Sequence, residues 1–266
     1  MRLQRYSSYT FSLFATLHLA TTSIIPLVAR SVPASESYLL LAREIYQTPI
    51  SEPLLVAVPI LAHVGSGIAI RLLRRSQNIQ RYGGATPGVH ALHRSKTDGS
   101  VSSRGAAAWS PWPAFSYISA SGYAFDLLLL AHMAMNRALP LAVEGDSANI
   151  GLAYVAHGFA RHPAVSWLAY TGLLVLGCGH MVWGWSKWLG AAQTAGWKLD
   201  QATGNAAVDK DRTRRRRRRF FVINGVALAA AAVWAAGGLG VVAVGGLQPG
   251  WVGKIYDGLY DRIPFL

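Results

Sequence analysis

The chain has 266 residues, of which 52% are hydrophobic and only 14% charged, and its formal net charge is +13. Soluble domains are nearer a quarter charged, so this composition excludes an ordinary soluble enzyme with a basic tail and favours an α-helical membrane protein with several spans. The single cysteine, Cys178, excludes internal disulfides and any cysteine-based zinc or iron–sulfur site. Its place in an apolar run favours a small buried residue.

Five stretches are apolar over the roughly 20 residues that a membrane span needs. They predict spans at 6–29, 54–73, 115–139, 163–188 and 220–247. We therefore expect a single all-α domain, an integral membrane five-helix bundle. After the first span, Ser35 to Gln47 predicts a short interfacial helix that is capped by Ser35 or Ser37.

The connecting segments are less regular. Residues 77–110 are rich in Gly, Ser, Thr and Arg and predict a flexible loop, and residues 190–213 predict a second one. Residues 141–162 predict a further loop, whose apolar second half, Ile150 to Arg161, suits the membrane interface. A short tail is expected from Gln248, and no repeat of solenoid period is visible.

Basic residues lie mainly on one side of the predicted bundle. Five spans place the N-terminus and the two flexible loops together on what we call the basic side, which holds 19 of the 25 lysines and arginines. The positive-inside rule assigns this side to the cytosol. The run Arg214 to Arg219 abuts the fifth span and acts either as an orienting signal or as a site for anionic lipid. The charge thus indicates contact with the lipid bilayer, and we expect no nucleic-acid partner.

Four histidines fall one on each of the first four spans: His18, His63, His132 and His180. Ionisable groups within a membrane are costly and usually functional. Each histidine also has a small or polar residue one helical turn later, at Thr22, Gly67, Asn136 and Gly184 respectively. The other histidines are expected in water (His90, His93) or near headgroups (His157, His162).

Two interpretations of the four histidines stay open, namely axial ligation of haem b iron and structural hydrogen bonds between helices. For haem, His63 and His180 form one pair at a similar depth from the basic side, and His18 and His132 form a deeper pair. Gly67 and Gly184 would let a flat ligand approach their helices, and Arg71 and Arg137 would suit its propionates. Asp126, within the third span, is either a proton or quinone group or a paired buried acid.

With these residues placed, the chain resembles a fungal mitochondrial family, the Mcp-type adapter proteins. Six groups of residues carry the resemblance along nearly the whole chain: Tyr6-Ser7-Ser8-Tyr9, Ser31 to Glu36, Ala62-His63-Val64 with Ser66-Gly67 and Arg71, His132 with Asn136-Arg137 and Pro140, Gly151 to Pro163, and His180 with Trp183-Gly184-Trp185.

The resemblance implies an integral protein of the mitochondrial outer membrane, with its C-terminus in the intermembrane space. It also implies similarity to the cytochrome b anchors of succinate dehydrogenase and fumarate reductase, which hold haem between helices. Family members are implied to act in lipid homeostasis by recruiting a chorein-type, bridge-like lipid-transfer protein to membrane contact sites. That recruitment uses a Pro-x-Pro motif in a cytosolic N-terminal tail.

The N-terminal motif is where the chain departs from the family. About five residues precede the first span, so we expect either that the adapter activity is absent or that the true start lies further upstream. Pro111-Trp112-Pro113 has the Pro-x-Pro spelling on the basic side. It is a candidate for partner binding through Pro111 and Pro113, or simply the start of a helix at the interface.

Two functions from different classes remain. The first is a non-enzymatic adapter or scaffold in lipid homeostasis, with a bundle that binds haem. The second is a membrane cytochrome b that transfers electrons, with a quinone near Asp126. A shared fold does not choose between them, because sites rather than folds carry function.

Overall fold

A computed structural model of the chain describes residues 2–82, 112–113, 115–197 and 203–264. Within these ranges the chain forms helices without any β-strand. The α-helices are α1 (Arg2–Leu19), α2 (Ile25–Ala29), α3 (Val32–Tyr46), α4 (Val58–Tyr82), α5 (Tyr117–Met133), α6 (Leu139–Glu144), α7 (Leu152–Arg161), α8 (Pro163–Trp188), α9 (Ala206–Gly237) and α10 (Gly250–Tyr260). Four π-helical turns interrupt or extend them, at Ala20–Ile24, Pro53–Ala57, Ala134–Ala138 and Gly238–Val242.

In the described ranges, five continuous helical segments are long and apolar enough to cross a membrane, which confirms the predicted all-α membrane fold. These spans are Arg2–Ala29, Pro53–Arg81, Tyr117–Glu144, Pro163–Trp188 and Ala206–Val242. Their outward faces are apolar. Leu61, Leu168 and Leu228, for example, are 72%, 78% and 71% exposed. Such faces suit hydrocarbon, in which helices associate through packing and hydrogen bonds rather than through the hydrophobic effect.

Several predicted boundaries were wrong because local signals let helices run beyond the apolar stretch. α4 continues through Tyr82, six residues into the predicted loop, since the next glycine is Gly83. α9 begins at Ala206 within the predicted 190–213 loop, because the Asn205 side chain accepts hydrogen bonds from Ala207 N and Val208 N.

The short helices also differ from the prediction. α3 begins at Val32 because the Ser31 hydroxyl, and neither Ser35 nor Ser37, accepts a hydrogen bond from Ala34 N. α6 occupies the start of the predicted 141–162 loop. α10 occupies most of the predicted tail, where its amphipathic face finds partners on α7 and α6.

The chain divides into two compact units. Residues 1–14 and 49–116 form the first, and residues 15–48 and 117–266 form the second. In the second unit α8 packs against both α5 and α9. The helices α3, α7 and α10, which we call the cap, contact the segments where spans one, three and five end. The cap core contains Ile150, Tyr154, Tyr256, Leu259 and Tyr260.

Spans one and three share one local design that the sequence analysis missed. In each, a histidine lies two residues before a five-residue π-turn, and a proline lies at the second position of the following α-helix. The paired residues are His18 with His132 and Pro26 with Pro140, both 114 positions apart in the numbering. Each helix then ends in a left-handed residue, Arg30 (φ 51°) or Gly145 (φ 83°). Both spans contain the motif His-x7-Pro-Leu, which could have revealed this shared design in the sequence.

Candidate functional site

The second unit brings together two of the four intramembrane histidines. The ring centroids of His18 on α1 and His132 on α5 lie 6.1 Å apart, with an interplanar angle of 72°. Two imidazoles on one metal ion have bonds of about 2 Å each, which separates their ring centroids by about 6 Å. The structure thus brings the predicted deeper pair together, at a centroid distance that one iron between two imidazoles would require.

Aromatic hydroxyl groups surround this pair. Nδ1 of His18 lies 3.4 Å from the Tyr46 hydroxyl, a long contact, and the Tyr170 ring meets His132 edge-on with centroids 5.4 Å apart. Asn136 Nδ2 lies 3.3 Å from both His132 Nδ1 and the Tyr170 hydroxyl. The pair thus lies in a polar cluster inside the bundle, to which α1, α3, α5 and α8 contribute.

Side-chain hydrogen bonds explain the residues that follow His18 and His132. Each histidine lies two residues before a π-turn, in which the backbone bond shifts from the fourth to the fifth residue, as from Ile25 N to Ala20 O. Thr22 Oγ1 and Asn136 Nδ2 each donate to the carbonyl oxygen of the histidine four positions earlier, both at 2.8 Å. These two positions, noted in the sequence as small or polar residues one turn after a histidine, therefore bond to the backbone of that histidine.

His63 and His180 share a different feature, a hydrogen bond from Nδ1 to a backbone carbonyl. The acceptors are Gln4 O for His63 and Ile118 O for His180, each at 3.1 Å. A carbonyl oxygen can only accept, so Nδ1 carries the hydrogen and Nε2 is the unprotonated nitrogen. This is the tautomer in which a histidine ligates a metal through Nε2.

The same reasoning ranks the four histidines as ligands. The amide nitrogen of Asn136 is a donor, so its contact with His132 Nδ1 favours hydrogen on Nε2, which is the opposite tautomer. His63 and His180 are therefore better prepared for ligation than His132. His63 lies in the first unit and His180 in the second, and the pairing of these two residues stays a prediction.

The environment of His180 includes two residues that the sequence analysis missed. Phe125 stacks on its ring at a centroid distance of 6.1 Å. A Cβ atom at Gly122 would lie 2.7 Å from His180 Cε1, so only glycine leaves room for the imidazole there. By contrast, Gly184, which we predicted to face a flat ligand, has nothing within 4 Å of its Cβ position. A Cβ atom at Gly67 would lie 3.3 Å from Gln4 Nε2.

The predicted propionate partners already contact protein groups. Arg71 Nη2 donates to the Pro113 carbonyl (3.0 Å), and its guanidinium lies 4.0 Å from the Phe115 ring centroid. Arg137 Nη1 donates to Ser147 Oγ at 2.6 Å. The Pro113 carbonyl therefore accepts a hydrogen bond from within its own unit. Pro111 lies outside the described residues. Asp126 is half-buried on α5.

His157, predicted to lie near headgroups, is instead buried in the cap with 2% of its surface exposed. Its Nδ1 accepts a hydrogen bond from Gln248 N (3.0 Å), and its Nε2–H donates to Asp257 Oδ1 (2.9 Å). Arg161 also bonds to Asp257. The His157 hydrogen bond first, and the Arg161 charge second, lower the pKa of the Asp257 carboxyl. His157 is buried because α10 packs against the face of α7 that was predicted to meet headgroups.

Glu36 caps the N-terminus of α7. Its carboxylate accepts hydrogen bonds from Leu152 N and Ala153 N, the unpaired donors of the first turn. Burial raises the pKa of Glu36, and these backbone hydrogen bonds oppose the increase. Arg43, on the same helix, donates to the carbonyls of Ser147 and Ile150. Most of the Gly151 to Pro163 signature is therefore structural.

In the described part of the chain, no three His, Cys, Asp or Glu side chains are grouped to hold a metal ion. A haem iron needs only two axial protein ligands, so this absence does not bear on the haem prediction. Haem ligation and interhelical hydrogen bonds both stay predictions for these histidines.

Comparison with known families matched residues 127–247 to the transmembrane domain of MDM10-complementing protein 1. The matched stretch contains His132, His180 and all of α7. Comparison with curated proteins and with solved structures gave no match. Five apolar helices in the described residues indicate an integral membrane protein, and the match points to a mitochondrial membrane. Over residues 127–247 the chain matches the Mcp-type family, that of the MDM10-complementing protein 1 transmembrane domain, as the resemblance predicted.

Proposed function

We propose that the protein is a non-enzymatic adapter of the mitochondrial outer membrane. It recruits a chorein-type, bridge-like lipid-transfer protein to contact sites and so serves lipid homeostasis, and its bundle binds haem b. The adapter role rests on what the resemblance to the Mcp-type family implies, and residues 127–247 match the transmembrane domain of that family. The observation that carries the haem proposal is the common tautomer of His63 and His180, whose Nδ1–H groups both donate to backbone carbonyls.

The orientation in the membrane follows from the basic residues. The arginines of α4 and α9 flank long apolar helices, and the positive-inside rule keeps such segments in the cytosol. The cap then lies on the side of the intermembrane space. A recruited cytosolic protein would meet the basic side, where the segment with Pro111 and Pro113 also belongs.

The chain's own residues would hold haem as follows. His63 and His180 offer Nε2 to iron, and the backbone carbonyls on Nδ1 fix their rings. His18 and His132 offer a second position, where Thr22 and Asn136 hold the histidine backbone. When bound, haem b supplies one-electron redox chemistry and a rigid cross-link between helices. In the proposed adapter the cross-link is the useful property.

Single histidine variants test the haem assignment. Purified His63→Ala and His180→Ala proteins should lose or shift the haem absorption, because each removes a prepared Nε2 ligand. His132→Ala should change it less if His63 and His180 ligate a separate iron. His90→Ala, on the predicted 77–110 loop, is the control. Spectra unchanged in both the His63 and His180 variants would contradict the assignment.

Recovery of the lipid-transfer protein tests the adapter role. The full chain, tagged at its C-terminus and expressed in fungal mitochondria, should co-purify with a chorein-type protein. Pro111→Ala with Pro113→Ala should lower that recovery if this segment replaces the N-terminal motif, whereas Trp112→Ala serves as the matched control. Failure to recover any chorein-type protein with the full chain would contradict the adapter role while leaving the haem proposal intact.

A further inference from the structure

The six consecutive arginines lie on a rigid helix. α9 runs without interruption from Ala206 to Gly237, so Arg214 to Arg219 occupy fewer than two helical turns. The apolar part of the span begins at the next residue, Phe220. A span that crosses the bilayer therefore holds these guanidinium groups at the depth of the phosphate headgroups.

Two of the six arginines have polar partners among the described residues. Arg215 pairs with Asp211 at 2.5 Å. Arg216 turns towards the preceding loop, where its backbone carbonyl accepts from Gly196 N and its Nη2 lies 3.5 Å from Ala195 O. Arg217, Arg218 and Arg219 are exposed, and none of them forms a salt bridge with a described acidic residue. Three adjacent charges thus face outwards.

An aromatic group lies directly below these charges. The Trp197 ring contacts the Arg217 guanidinium at 5.3 Å and the rings of Phe220 and Phe221 at 5.6 and 5.5 Å. Trp197 is 51% exposed and Phe221 is 59% exposed. Tryptophan prefers the boundary between headgroups and hydrocarbon. Exposed guanidinium groups, which suit a lipid phosphate, therefore lie next to exposed aromatic rings, which suit the start of an acyl chain.

We propose that Arg217, Arg218, Arg219, Trp197 and Phe221 form a binding surface, the arginine collar, for the headgroups of anionic phospholipids in the protein's own bilayer. Guanidinium groups donate two parallel hydrogen bonds to phosphate oxygens, and exposed Trp197 and Phe221 contact the first carbons of the acyl chains. Direct continuity with an apolar span favours a membrane lipid over a nucleic acid, because the collar cannot leave the headgroup layer. The proposal is independent of haem and of the adapter role.

Lipid retention measured by native mass spectrometry tests the collar. The full chain in mild detergent is incubated with phosphatidic acid or phosphatidylcholine, and bound lipid is counted. We expect preferential retention of phosphatidic acid. Replacing Arg217, Arg218 and Arg219 with glutamine should reduce it about a hundredfold, since three basic residues near an anionic surface contribute about 1 kcal/mol each. Phosphatidylcholine retention should change little.

The matched control removes the same charge elsewhere on the basic side, by glutamine at Arg2, Arg74 and Arg81, which are all exposed. Equal losses of phosphatidic acid in both triple variants would overturn the proposal, because net charge alone would then explain retention. Wild-type protein gives a second test that needs no variant. Its phosphatidic acid retention should fall as salt rises, and retention that is independent of salt, or equal for both lipids, would also overturn the proposal.

Discussion

At the scale of single residues, hydrogen-bond partners determine what each histidine can do. His63 and His180 donate from Nδ1 to carbonyls, His132 faces an amide donor, and His157 is used at both nitrogens by the cap. In the sequence these four side chains looked alike, since each histidine lies in an apolar run or in a segment that suits the membrane interface. Their partners lie up to 100 positions away in the chain, so their roles could not be read from spacing alone.

Gly122 gives a direct test of the His180 pocket. Gly122→Ala places a methyl group 2.7 Å from His180 Cε1, so the imidazole has to move. Overpacking of this kind costs about 1–3 kcal/mol. We expect a lower thermal midpoint and a shifted haem spectrum. Gly184→Ala is the control on α8, where the added methyl meets nothing within 4 Å. Equal behaviour of the two variants would contradict the pocket.

Asp257 predicts an acid-sensitive cap. Its folded-state pKa is lowered below the usual 3.8, first by the His157 hydrogen bond. A lowered pKa means that the folded state binds fewer protons, so this stabilisation is complete above pH 3.8 and is lost as pH falls through the folded pKa. Once pH falls below the folded pKa of Asp257, the amides of α10 should become less protected in hydrogen-exchange measurements. Asp257→Asn should weaken that pH dependence, and an unaltered profile would contradict the assignment.

At the scale of elements, the π-turns decide how spans one and three present their histidines. Beside each π-turn, a side chain four residues after the histidine donates to the histidine carbonyl. Thr22→Val should cost less than about 1 kcal/mol, because the Thr21 hydroxyl also donates to the His18 carbonyl. Asn136→Leu should cost more, because Asn136 has three polar neighbours.

Thr10 supplies the control for this prediction on the same helix. Its hydroxyl also donates to a carbonyl four residues earlier, that of Tyr6, but within a regular α-helical segment. That hydrogen bond is exposed, whereas the one from Thr22 is partly buried, so Thr10→Val should be nearly neutral in thermal unfolding. If Thr22→Val and Thr10→Val unfold at the same temperature, the role assigned to Thr22 is wrong.

The cap offers a glycine comparison between two helices that touch. A Cβ atom at Gly158 on α7 would lie 2.0 Å from the Tyr260 hydroxyl, which itself donates to Tyr154 O. Gly158→Ala should therefore separate α10 from α7 and lower stability by about 1–3 kcal/mol. Gly258→Ala on α10 meets nothing within 4 Å and should be neutral or slightly stabilising, because alanine favours helix. Limited proteolysis of α10 distinguishes the two outcomes.

At the scale of the whole molecule, composition and charge predicted the membrane class and five spans, because hydropathy is read over about 20 residues at a time. Residues 163–188 were predicted to the residue. The cap was underestimated, since α7 and α10 become buried only when helices distant in sequence meet. The pairing of spans one and three was visible as His-x7-Pro-Leu, but a two-copy repeat escapes a search for longer arrays.

The central claim is that the histidine-bearing bundle of this Mcp-type protein binds haem b. The most direct measurement is the reduced-minus-oxidised difference spectrum of the full chain, produced with ample haem and purified in mild detergent. The histidine geometry predicts a Soret band and α and β bands of a b-type, low-spin haem that stay with the protein through purification. A purified, folded protein without a Soret band would contradict the claim and leave the histidines as hydrogen-bonding groups between helices.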